Sequence, residues 1–136
     1  MGDVVAKEVA EEEYSRFADT WDLDTDVSEM DDADRMGYEA HHRRLVRAIR
    51  NGTLRVDDEG MLDLDLQWTQ NGTTLHFTPP DGAASMEWDR FKAEQQIRKM
   101  NSLLAGMTKE PPQIFATMDG RDLKYCQSVA MLFLGS

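Results

Sequence analysis

Few of the 136 residues have types and spacings that could do chemistry, and most fail on inspection. Asp22, Asp24 and Asp26 alternate as the first oxygen ligands of a calcium loop do. That loop also needs glycine at its sixth position and glutamate at its twelfth. Counted from Asp22 these positions hold Val27 and Ala33, and from Asp24 they hold Glu29 and Arg35, so both registers fail. His41 and His42 are adjacent, and neighbours on a helix point ~100° apart, whereas a helical zinc pair sits four residues apart on one face. His76 falls in a strand candidate and Cys126 has no CxxC companion, so no metal ligands are expected. Cys126 lies midway along an apolar helical face, where a thiol behaves as a small inert hydrophobe. The carboxylates cluster on a segment with little around it to bury them and raise a pKa. With no GxSxG, no glycine-rich phosphate loop and no HExxH, neither catalytic residues nor cofactors are expected.

Two other groups suit binding instead. His41 to Arg50 (HHRRLVRAIR) is the one basic block, with no acid between Ala40 and Val56. Arg43, Arg47 and Arg50 share one side of a helix there, a docking face for an acidic or helical partner unless the neighbouring acids neutralise it. The chain also has nine methionines, of which Met61, Met86, Met100, Met107, Met118 and Met131 fall in or after the strand region. Thioethers are unbranched and polarizable, and adapt to varied apolar surfaces as readily as they fill cores. Arg43, Arg47, Arg50, Met86, Met100 and Met107 are the expected partner-binding residues.

The elements that must position these groups follow from charge and periodicity. The formal charge is −11, and residues 1–34 hold thirteen acids against Lys7 and Arg16, so the other 102 residues are neutral as a set. Such a balance disfavours direct nucleic-acid binding, which needs a basic footprint. Residues 1–34 are expected as an acidic arm carrying a short helix over 6–19, followed by a loop pinned by Trp21, Leu23, Val27 and Met30. Residues 35–136 are expected as one domain. Asp31 or Asp32 caps a helix over 33–51 that Asn51-Gly52 ends, with Tyr38, Leu45, Val46 and Ile49 facing a core. An antiparallel meander over 53–78 follows, with Leu62, Leu64, Leu66 and Trp68 alternating against Asp63, Asp65 and Gln67, and Asn71-Gly72 as a hairpin turn. Helices over 83–107 and 120–134 close the chain, separated by the break Thr108–Pro112 and a short turn over 113–118. Asp119 caps the last helix with Asp122 at its third position. The expected class is α+β, mostly helical, with the meander between N-terminal and C-terminal helices.

No apolar run approaches the ~20 residues that cross a bilayer, and the start lacks the cationic and apolar regions of a secretory signal. A single cysteine precludes an intramolecular disulfide and suits a reducing cytoplasm.

The order and spacing of these segments resemble the small tail assembly chaperones of long-tailed (siphovirus-like) bacteriophages and prophages. The likeness is clearest in the methionine-rich SMEWDRFKAEQQIRKMNSLLAGM, the Thr-x-x-Pro break at Thr108–Pro111, and Met-Asp-Gly-Arg-Asp-Leu leading to a terminal helix ending in FLG. It extends more loosely to EYSRFADTWDLDTDVSEMDDADR and HHRRLVRAIRNGTLRVDDEG. The resemblance implies a non-enzymatic protein of the bacterial host cytoplasm that coats the tape measure protein and engages tail tube subunits during tail morphogenesis, then is absent from the virion. It implies self-association or soluble complexes, no membrane partner and, in many members, a longer frameshifted form of which this chain would be the shorter. Two other classes stay open: a structural virion component such as a head–tail connector or tail terminator, and an acidic inhibitor that mimics nucleic acid.

Overall fold

The computed structural model describes residues 5–23, 25–69, 73–79 and 96–134. Helices α1 (Lys7–Thr20) and α2 (Asp32–Asn51) come first, joined through a 3₁₀ turn at Val27–Glu29. Strands β1 (Leu54–Val56), β2 (Leu62–Asp65) and β3 (Thr74–Phe77) follow, and helices α3 (Gln96–Thr108), α4 (Pro112–Ala116) and α5 (Gly120–Leu134) complete the order. The architecture is the expected α+β one, a three-stranded antiparallel sheet between N-terminal and C-terminal helices.

Helix α2 is the axis, packed against α1 on one flank and α5 on the other. The Asp31 carboxylate caps it by accepting the Asp34 N–H at 2.8 Å. Gly52, at φ 83°, ends it in the left-handed conformation and donates to the last carbonyls. Between those caps Leu45, Val46, Ala48 and Ile49 are buried, and Tyr38 is half-buried against the same core.

The acidic stretch expected as a separate arm shares that core. Ala10, Tyr14, Phe17, Ala18 and Trp21 are buried in one cluster with the leucines of the sheet. The aromatic positions 14, 17 and 21 recur at helical spacing, but Trp21 falls past the end of the expected helix, so the stripe reads short. Both ends of α1 are also tied down. The Val5 N–H donates to the Arg50 carbonyl at 3.0 Å. At the other end the Arg16 guanidinium donates to the Val56 and Asp57 carbonyls, and the Trp21 indole N–H to the Gly60 carbonyl at 3.0 Å. Gly60 has φ 82°, and a Cβ there would lie 2.3 Å from Thr20 Oγ1, so only glycine lets the β1–β2 turn close on α1.

In the sheet Leu54 pairs with Leu64, Leu62 with Phe77 and Leu64 with Leu75. These side chains are buried, while Arg55, Asp63, Asp65, Thr74 and His76 alternate on the other face. Strand β2 stops at Asp65, short of the expected Trp68, because the next amides turn to a different acceptor. The N–H groups of Gln67, Trp68 and Thr69 all donate to the Asp122 carboxylate of α5. Asp122 stands in the first turn of its helix as expected, and its buried carboxylate also clasps the loop that follows β2. Asp119 does serve the expected end, accepting the Arg121 N–H at 2.9 Å.

Lys109, at φ 59°, ends α3, and Pro112 starts the short helix α4 where a turn was expected. The Asn71-Gly72 turn and residues 83–95 of the expected long helix lie outside the described residues. Cys126, Val129, Ala130 and Leu132 face α5 inward. Among the described residues, no helix is long and apolar enough to cross a membrane.

Candidate functional site

The two flanks of α2 each carry a depression. The larger, about 740 Å³, lies between α1 and the C-terminal half of α2 and is lined by Lys7, Glu11, Glu39, His42, Arg43, Val46, Arg47, Arg50 and Asn51. The expected basic face is therefore the wall of a groove. Arg43 and Arg47 are exposed and Arg50 is half-buried. Lys7, which no helical spacing within α2 could reveal, completes the groove from α1. Among the described residues, the acids of the first 34 meet this groove at Glu11, which lies 3.0 Å from His42 Nε2. The His42 ring stacks on Tyr14 with centroids 4.2 Å apart, which fixes its direction. Burial, reinforced by Tyr38, raises the Tyr14 phenol far above its ordinary pKa, so it stays a neutral hydrogen-bond donor.

The smaller depression, about 400 Å³, lies between the 3₁₀ turn with the N-terminal half of α2 and the end of α5. Met30, Ala33, Gly37, Tyr38, Met131 and Leu132 supply its apolar lining, Glu29 and Asp34 its charged rim, and His41 its inner edge. Met131, on α5, is 42% exposed, and Met36, on the outer side of α2, is 70% exposed. Gly37 has no heavy atom within 4 Å of where its Cβ would stand, so the floor is open at that point.

His41 and His42 part company as their adjacency requires. His41 turns to α5, with Nδ1 3.0 Å from Ser128 Oγ, which also accepts from Arg44 at 2.8 Å. Arg44 can only donate, so the Ser128 hydroxyl proton is left for His41 Nδ1. Burial, and then Arg44, hold His41 below its ordinary pKa, which keeps the ring neutral. Ser128 is fully buried, so this His–Ser contact is a seam between α2 and α5.

The methionines singled out from sequence divide. Met107 is fully buried and unavailable to a partner, because it points into the junction of α3 with the sheet, where its carbonyl also accepts the Thr78 N–H. Met100 is half-buried against the core, and Met86 lies outside the described residues. Among the described residues the thioethers that face solvent are Met36 and Met131, of which Met131 was noted in the sequence but neither was among the expected partner-binding residues. Their signal was position: each falls off the apolar stripe of its own helix.

Cys126 is buried beside Met118, and burial followed by Asp122 pushes its thiol up to about 12, far from a thiolate at neutral pH. One set of donors escaped the sequence because a turn and two strands assemble it. Asp57, Asp63 and His76 bring one donor atom each within 4.8 Å of one another, with His76 Nδ1 2.6 Å from Asp63 Oδ1. Asp57 Oδ1 is already engaged by the N–H groups of Glu59 and Met61, so the set works as a cross-strand hydrogen bond beside a turn cap. Compared with family models, curated proteins and solved structures, the chain finds no match.

Proposed function

We propose that the protein is a tail assembly chaperone of a long-tailed bacteriophage or prophage. It acts in the host cytoplasm by binding the tape measure protein and tail tube subunits, without catalysis. The observation that carries this is the methionine-lined cleft of about 400 Å³ with Met30 and Met131 in its wall and carboxylates on its rim. A long helical client exposes apolar faces before other subunits surround it. Covering such faces calls for adaptable apolar contacts that can later be displaced, beside charge that keeps the complex dispersed. The cleft supplies the first, and the acids of residues 1–34 the second.

Co-expression tests it. The tape measure product of the same genome is expected to precipitate alone and to stay soluble with this protein. Gly37→Trp, at a cleft-lining position where an added Cβ meets no heavy atom within 4 Å, is expected to obstruct the cleft and abolish the gain while the variant itself stays folded. No gain with the wild-type chain would sink the proposal, and its presence in purified particles would make it a structural virion component.

A further inference from the structure

The basic groove stands apart from the methionine cleft, and what it shows does not depend on the phage assignment. Three of its four cations, Lys7, Arg43 and Arg47, are left over. Arg16, Arg35, Arg55 and Arg121 are each paired with an acid of their own neighbourhood, namely Glu13, Asp32, Asp65 and Asp119. Arg44 is engaged by Ser128. Arg43, Arg47 and Lys7 have no hydrogen bond or ion pair with any described residue, in a chain of 26 acids and 15 bases.

The described acids nearest them are engaged elsewhere or make no ion pair with them. Glu11 is occupied by His42, and Glu39, one turn before Arg43, lines the groove without pairing to it. The dense acids at Asp26 to Asp34 sit at the opposite end of the α1–α2 pair, where Asp26 and Asp31 are fixed as caps. From Asp32 to Arg47 along α2 is ~22 Å at the helical rise, well beyond the ~8 Å over which charges are felt at physiological salt. Among the described residues, no acid therefore pairs with Lys7, Arg43 or Arg47.

We infer that this groove docks a helix of a partner protein that carries carboxylates four residues apart on one face. Arg43 and Arg47 lie ~6 Å apart along α2, the spacing that an i, i+4 pair of glutamates presents. Each guanidinium offers two parallel N–H donors to a carboxylate. Lys7 answers from the other wall, and Val46, buried in the groove floor, offers an apolar contact to the glutamate stems. Nucleic acid is the poorer fit, since Glu11 and Glu39 on the walls and the −11 charge of the chain would all repel phosphate.

The test uses the full ¹⁵N-labelled chain and two alanine-based helical peptides of equal composition. One places its glutamates at i, i+4 on a single face, and the other spreads them around the helix. The single-face peptide is expected to shift the amides of 7–11 and 39–51 and to bind at least about tenfold tighter than the spread one. Raising salt from about 25 to 250 mM is expected to weaken it strongly. The exposed double variant Arg43→Glu/Arg47→Glu, with its unfolding midpoint unchanged, is expected to lose binding. Equal binding of both peptides, shifts centred elsewhere, or unchanged binding by the variant would each overturn the inference. So would salt-reversible self-association that the same variant abolishes in sedimentation, because the occupant would then be the acidic end of a second copy.

Discussion

The two flanks of α2 are sealed by different chemistry. Against α1 the contact is aromatic and backbone in kind: Tyr14, Phe17 and Trp21 are buried, the two rings nearest the sheet meeting edge to face at 4.9 Å. Towards α5 and the loop it clasps, polar groups do the holding, with Ser128 bridging His41 and Arg44, and Asp122 gathering three amides and a hydroxyl. Apolar burial is indifferent to pH and salt, whereas a polar seam is strong only while every member keeps its partner. The first flank can border a charged groove without loosening. The second has to tolerate an open apolar cleft beside titratable groups.

The largest expected effect breaks the polar flank. Asp122→Ala strips the acceptor from three part-buried amides and is expected to cost roughly 3 kcal/mol in urea unfolding, with Asp122→Asn costing less because one acceptor oxygen remains. If Asp122→Ala unfolds at the wild-type midpoint, the clasp is not structural. On the apolar flank, Gly60→Ala forces a Cβ against Thr20 in a left-handed backbone and is expected to cost about 2 kcal/mol. The loss should be accompanied by changed Trp21 fluorescence, since its indole bonds to the Gly60 carbonyl.

Ser128→Ala is milder, roughly 1 kcal/mol, as two neutral-acceptor bonds between α2 and α5 vanish but no volume of consequence does. His41 sharpens the contrast through pH. Its pKa is depressed in the fold by burial first and Arg44 second, so the unfolded chain takes up that proton at the higher pH. Stability is thus complete above the ordinary histidine value of about 6.5 and falls as pH drops through the folded value. Unfolding midpoints between about pH 5 and 7 should fall with acidity in the wild type and less in His41→Gln; parallel curves would remove His41 from the seam. Smallest of all, Arg43→Glu/Arg47→Glu should shift stability by no more than about 0.5 kcal/mol, because neither side chain holds anything within the fold.

Much of this fold was legible from local pattern. The helix of α2 was readable from an aspartate before it and Asn-Gly after it, and the sheet from alternation of leucine with aspartate, because capping and periodicity are short-range physics. The basic wall of Arg43 and Arg47 was readable for the same reason. What was not readable is which far partner a polar side chain takes. Asp122 sits where a cap-turn residue belongs, yet serves amides more than fifty residues earlier.

The sequence by itself therefore determined the order of elements, their caps, the inward faces and the crowding of acid into the first quarter of the chain. Only the tertiary structure decided that this acidic stretch would be a core helix, that Lys7 would face Arg43 and Arg47 across a groove, and that Met131 would stay in solvent while Met107 was sealed. Helical and strand periods are written in neighbours a few residues apart. The meeting of two distant segments depends on how whole faces pack, and no local spacing encodes that.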